Sequence, residues 1–192
     1  TWCNVPTAVI DLLNTPDLAP QDLSSLRLVY GGGSAMPEAV AERLNDMTGL
    51  EFIEVYGMTE TMGPISHNAL DAPKASCVGM PVMDTVVHLL DPETLTPVAQ
   101  GEVGEIVVSG PQLLMSYWQN PQADAETFVT IDGQRFLRTG DLARADTSGR
   151  LYIVDRLKRM INASGYKIWP AEVEARLYQH PAIAEVCVIG SK

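Results

Sequence analysis

Long apolar runs, basic residues, cysteines and histidines are scarce in this sequence, and each shortage closes off a class of function. No apolar stretch approaches the roughly 20 residues that cross a bilayer. Residues 1–15 also lack the basic head and apolar centre of a signal peptide, so the chain reads as cytoplasmic. Thirteen Lys and Arg stand against twenty-four Asp and Glu, a net charge of −11, which disfavours a grip on nucleic acid or anionic lipid. Cys3, Cys77 and Cys187 have no CxxC spacing, and Cys187 sits in the apolar run 186–189, so neither metal nor disulfide chemistry is indicated. His67, His88 and His180 share no ligand spacing, and only His67, in a loop, stays a candidate pocket residue. There is no GxxxxGK phosphate loop, no GxGxxG, no GxSxG elbow and no HExxH. An initiator methionine is missing too. The chain opens on Thr1 and closes on Gly190-Ser191-Lys192 directly after an apolar run, and it is expected to be cut at both ends.

What remains is an ordinary globular composition, 46% apolar and 19% charged over 192 residues, enough for one domain and a remainder. Ala8 to Leu13 has helical spacing and stops before Pro16. The run Leu26 to Tyr30 meets Gly31-Gly32-Gly33, after which Pro37 opens an amphipathic stretch through Val40, Leu44 and Met47: strand, glycine turn, helix. Phe52 to Tyr56 is a second strand-like run, so residues 1–75 predict an α/β unit with a parallel sheet and ligand-binding loops at the carboxyl ends of its strands. From Cys77 onward short apolar runs, among them Arg135-Phe136-Leu137 and Leu142-Ala143-Arg144, alternate with turn signals such as Asp132-Gly133 and Ser148-Gly149, which predicts a small antiparallel sheet or barrel over 76–157. A third texture begins after a boundary at Asp155 to Lys158, with a helix from Ala171 to about Gln179 and a strand from Glu185 to Ile189. The fold class is therefore α/β plus antiparallel β, followed by the start of a small α+β domain over 158–192.

Four places could carry chemistry. Glycines at 31–33 make a tight turn, and they also clear one wall of β-carbons so that a flat ring could lie against the backbone. In Tyr56-Gly57-Met58-Thr59-Glu60 a hydroxyl and a carboxylate stand side by side after a strand, suited to phosphate and Mg²⁺, or equally to a solvated turn. Asp141, ending Arg138-Thr139-Gly140-Asp141, could accept hydrogen bonds from vicinal ribose hydroxyls, or belong to a hairpin turn. Arg156 offers a guanidinium for phosphate or ribose oxygens, or for a surface ion pair.

Taken in order, these blocks resemble the acyl-adenylate-forming superfamily of acyl-CoA ligases, luciferases and peptide-synthetase adenylation domains. The matching blocks are Gly32 to Ala35, Tyr56 to Glu60, Arg138 to Asp141, and Gly149-Arg150 through Asp155-Arg156-Leu157-Lys158 to Gly165-Tyr166-Lys167. Gly101 to Ile106, ahead of Tyr117-Trp118, is a further family-like stretch. The resemblance implies that a carboxylate attacks the α-phosphate of Mg·ATP to give acyl-AMP and pyrophosphate, after which a thiol, usually coenzyme A, displaces AMP. Gly33, Ser34 and Ala35 would border adenine, with Tyr56 stacking on its other side and Gly57 and Met58 counted with it in the nucleotide site. Thr59 would touch phosphates and Glu60 would hold Mg²⁺. Asp141 would take the ribose hydroxyls, Arg156 the ribose or phosphate, and Ile153 would pack near the base. Lys158 would be the pivot of the C-terminal domain, and Gly165 would face inward for thioester formation. Residues 1–157 would then be the last part of a large AMP-binding domain.

Ala163 to Glu174 is similar to fatty-acyl and related CoA ligases, and Ser164 stands where peptide-synthetase domains usually carry a basic residue. A fatty-acid or related acyl-CoA ligase is the preferred member; a peptide-synthetase domain and a standalone adenine-nucleotide-binding module are the alternatives. The family's lysine-ended phosphate loop and its late adenylation lysine have no counterpart in the 192 residues, so the chain by itself is expected to lack adenylation activity. Association through exposed edges of the sheet is also expected.

Overall fold

The computed structural model describes residues 1–163, 166–177, 180, 182–183 and 186–190. Two sheets meet along one apolar seam. The first holds β1 (Trp2–Cys3), β2 (Val29–Gly31), β3 (Phe52–Gly57), β4 (Pro64–His67) and β5 (Met80–Pro81) in sequence order. Helices α1 (Pro6–Leu13) and α2 (Glu38–Thr48) cover it: Val9 and Leu13 of α1 and Leu44 of α2 form a buried cluster with Val29, Met36 and Phe52. Proline in the first turn of α1 lacks only an N–H that would have no helical partner there.

β1, β2 and β3 run parallel, but β4 and β5 are antiparallel to their neighbours, so the sheet is mixed where a parallel one was expected. The cause is local. A 3₁₀ turn at Thr59–Thr61 and the left-handed Met62 (φ 48°) reverse the chain directly after β3, leaving no room for a crossover helix. β5 pairs with β4, so this sheet runs past the division expected at residue 75.

The second sheet has the order β10-β9-β7-β6, with β8 also paired to β9. Its strands are β6 (Val86–Leu90), β7 (Gly104–Ser109), β8 (Phe128–Ile131), β9 (Gln134–Ala145) and β10 (Leu151–Arg156), and helix α3 (Pro121–Thr127) precedes β8. Central β7 is buried along its whole length. Twelve-residue β9 replaces the two short strands read from the sequence: one edge lies on β7, while the other pairs first with β8 and then with β10. Among the described residues this sheet is antiparallel throughout. Ile65, Val108 and Leu137 form the buried seam with the first sheet, and Tyr56 and Met58 pack against it.

Beyond a 3₁₀ turn at Leu157–Arg159 come a hairpin of β11 (Ile161–Ala163) and β12 (Tyr166–Ile168) and helix α4 (Pro170–Leu177). The expected helix end at Gln179 and strand start at Glu185 lie outside the described residues. Residues 186–190 are neither helix nor strand, so the expected strand is not formed over its described part, where the Val188 amide donates to Glu174 Oε1 at 2.8 Å. No helix among the described residues is long and apolar enough to cross a membrane.

Candidate functional site

The loops after β2 and β3 leave the first sheet side by side. Gly32 lies so close to β3 that a β-carbon on it would stand 1.9 Å from the Val55 carbonyl oxygen, a distance that any side chain would violate. That contact brings the start of the glycine turn against β3 one residue before Tyr56, and Gly33, Ser34 and Ala35 follow it exposed to solvent. Glu54, one residue before Val55 on β3, is 7% exposed. Desolvation pushes its carboxyl up to about 7, against the pull of the backbone N–H groups of Met36 and Ser76. It thus stands between the far end of the glycine turn and the loop that leads to β5.

Asp141 reaches the same place from the second sheet through an irregularity in β9. Opposite Ile106 of β7 the register slips, with Val107 facing Arg138 and Glu105 facing Leu142, and Gly140 takes φ 71° within the extra length. Side chains hold the bulge. The Thr139 hydroxyl donates to the Ile106 carbonyl (2.9 Å) and accepts from the Asp141 amide (3.1 Å), while Glu105 Oε1 accepts from the Gly140 amide (3.1 Å). Glu105, 2% exposed, is neutralised by Arg138, whose Nη2 lies 2.6 Å from Oε2 and also donates to the Pro92 carbonyl at 3.0 Å.

The bulge aims Asp141 at the seam between the sheets. Its carboxylate is 4% exposed and is shared: the Tyr56 hydroxyl donates to Oδ2 and Arg156 Nε to Oδ1, each at 2.8 Å. Burial, then the neighbouring Asp141 charge, raise the Tyr56 phenol far above its ordinary value, so it stays a neutral donor. The Arg156 side chain is 68% exposed, with its far end open to solvent beside a buried anion. Three sequence candidates therefore meet in one hydrogen-bonded cluster.

Thr59 and Glu60 lie on the 3₁₀ turn that follows β3. Thr61, fully buried, fastens that turn: its hydroxyl accepts from the Met58 amide and shares its one proton between the Met58 and Gly63 carbonyls, 2.9 and 2.7 Å away. Glu60 Oε1 accepts from the Tyr117 hydroxyl at 2.9 Å, and the Glu60 carbonyl accepts from the Leu114 amide at 2.8 Å. Desolvation, then the bond to Glu60, raise the Tyr117 phenol. Gly57 and Met58 continue from Tyr56 into this turn, and the Met58 side chain goes to the apolar seam.

The remaining candidates are more scattered. Half-buried Ile153 lies on β10 opposite Ala143, and Lys158 is exposed on the turn after β10. His67 ends β4 with Nδ1 2.9 Å from the Asn68 carbonyl oxygen. Gly165 lies outside the described residues. Sequence reasoning missed Glu54 and the roles of Glu105, Tyr117 and Asp155. The last, 4% exposed, accepts from the Ala171 amide (2.9 Å) at the start of α4 and lies 3.7 Å from Arg159. Buried charge inside a strand was the available signal for Glu54 and Glu105, since a carboxylate among apolar strand residues needs a partner.

A glycine-walled turn, a hydroxyl–carboxylate turn and a buried aspartate at one seam define an architecture shared with coenzyme A ligases. ATP-bound MatB from Rhodopseudomonas palustris superposes with a TM-score of 0.90 at 30% identity, over 98% of this chain and 37% of that one. O-succinylbenzoate coenzyme A synthetase from Bacillus subtilis, solved with ATP and magnesium ion, does so with a TM-score of 0.83 at 31% identity, over 99% and 38%. A medium/long-chain-fatty-acid–CoA ligase of Mycobacterium tuberculosis is 44% identical over 191 residues, 97% of this chain and 32% of that protein. Residues 1–118 match the AMP-binding enzyme family, and the chain belongs to that family. It spans about a third of the length of the curated relatives it matches.

Proposed function

We propose that the chain supplies the adenosine and metal side of an AMP-forming acyl-CoA ligase. In this reading a carboxylic acid, a fatty acid by the names of its relatives, is joined to the α-phosphate of ATP with release of pyrophosphate. The coenzyme A thiol then attacks the acyl carbonyl and AMP leaves. The Tyr56–Asp141–Arg156 cluster carries the proposal: a buried carboxylate bounded by a neutral donor and a half-free guanidinium suits vicinal ribose hydroxyls beside a phosphate. The wall Gly33-Ser34-Ala35 and the Tyr56 ring border adenine, Gly57 and Met58 lead from it to the phosphates, Ile153 packs towards the base, and Thr59 meets a phosphate.

Mg²⁺ fits Glu60. One oxygen of that carboxylate is held by Tyr117 and the other has no hydrogen-bond partner among the described residues, and Mg²⁺ takes one or two carboxylates with phosphate oxygens and water. No group of three or more His, Cys, Asp or Glu that could bind a metal unaided occurs among the described residues. When bound, the ion would neutralise phosphate charge as pyrophosphate leaves. Lys158 is read as the pivot between residues 1–157 and a small C-terminal domain that begins at 158, with Gly165 facing coenzyme A. The setting is cytoplasmic, and exposed sheet edges support self-association.

Nucleotide binding is the direct test, because the chain spans only a third of its relatives. Calorimetry should show saturable AMP binding that weakens at least tenfold in Asp141→Asn, roughly one bidentate contact to ribose. Equal AMP affinity in the two proteins would overturn the reading.

A further inference from the structure

Tyr117 sits on the long connection between β7 and α3, which is fixed at several points. The Tyr117 amide donates to Asp124 Oδ1 of α3 at 2.8 Å. Arg135 of β9 donates to the Leu114 and Met115 carbonyls at 3.3 and 2.7 Å, and Gln112 Nε2 donates to Thr85 Oγ1 at 2.8 Å. The connection is joined to the Glu60 turn by the backbone bond from Leu114 to the Glu60 carbonyl. The phenol is therefore not needed to dock the two loops. What it adds is a bond of 2.9 Å to one carboxylate oxygen, with Thr127 of α3 as the phenol's other hydrogen-bonding neighbour.

We infer that Tyr117 is a positioning residue: its hydroxyl fixes Oε1 of Glu60, so that Oε2 is presented in one orientation to a divalent cation carried by the nucleotide. The inference rests on the reading of Glu60 given above. A half-buried glutamate on a turn otherwise samples several rotamers, and a ligand oxygen that must be oriented at each binding event holds its ion less well. The proposal differs from a packing role, for which phenylalanine would serve as well as tyrosine.

The test uses the full chain with Mn²⁺ in place of Mg²⁺, bound metal being read by electron paramagnetic resonance during ATP titration. The discriminating quantity is the ratio of ATP affinity with metal to that without. This ratio should fall roughly tenfold in Tyr117→Phe, the order seen when a partner of a metal ligand is removed. It should fall at least as far in Glu60→Gln, and the double variant should be no worse than Glu60→Gln alone. Thermal unfolding confirms that each variant is folded. A normal ratio in Tyr117→Phe beside a lowered one in Glu60→Gln overturns the role of Tyr117 and spares that of Glu60. A normal ratio in Glu60→Gln, or no metal dependence in the wild-type chain, overturns both. Equal loss of ATP affinity with and without metal in Tyr117→Phe marks a structural role and also overturns the inference.

Discussion

The Tyr56 hydroxyl donates to Asp141 across 85 residues of sequence, the shortest statement of how the two sheets are joined at the site. The donor leaves from the end of β3, where that strand pairs antiparallel with β4, and the acceptor from a bulge in β9. Tyr56→Phe would leave a buried carboxylate one donor short. A hydrogen bond to a charged group contributes about 2 kcal/mol, and urea unfolding should show a loss of that size. An unchanged urea midpoint would mean that Arg156 alone satisfies Asp141.

Glu54 makes stability depend on pH with a definite sign. Its carboxyl titrates near 7 in the folded chain against an ordinary 4.5, so the folded state holds the proton more tightly than the unfolded one. The contribution is fully present below about pH 4.5, is lost as pH rises towards 7, and is constant above that. The difference is on the order of 3 kcal/mol. Comparing wild type with Glu54→Gln at successive pH values isolates it: the variant should lack this slope and be the more stable of the two at pH 8. Parallel stability curves would refute the assignment.

Glu105 and Arg138 form a pair in which only the arginine reaches solvent. Glu105→Ala would strand the guanidinium and release the Gly140 amide, at about 3 kcal/mol by analogy with other broken buried pairs. Because the bulge aims Asp141, AMP affinity should fall along with the unfolding midpoint. Loss of stability with intact AMP affinity would show that Thr139 holds the bulge unaided.

The Ser66 hydroxyl, across β3–β4 from Tyr56, is buried with no hydrogen-bond partner among the described residues. Ser66→Ala should be neutral or stabilising by up to about 1 kcal/mol in thermal unfolding. A clear loss of stability would reveal a water bound to that oxygen.

Much of the architecture was legible because turn chemistry is local. Gly31-Gly32-Gly33 followed by Pro37 marks a strand–turn–helix, and Asp132-Gly133 marks the hairpin of β8 and β9. β4 and β5, at four and two residues, are too short to show a period, and their antiparallel course depends on the left-handed Met62, which no propensity requires. β9 looked like two strands because Thr139-Gly140 reads as a break, whereas it is a bulge within one strand. Residues of the candidate site were readable as an ordered set of blocks. What holds them was not: the partners of Asp141 and Glu60 lie on other elements, and a pattern along the chain carries no record of contacts across it.

Asp155 stands three residues before Lys158, and Ala171, whose amide it accepts, stands thirteen after. If the chain pivots at Lys158, this bond must break before α4 can leave β10, and a carboxylate at present 4% exposed must find water or another donor. The Arg159–Glu174 and Glu174–Val188 contacts travel with the moving part and resist nothing. Under that condition Asp155 would be a latch, held by the Ala171 amide and by Arg159 at 3.7 Å, and opening it would cost both contacts.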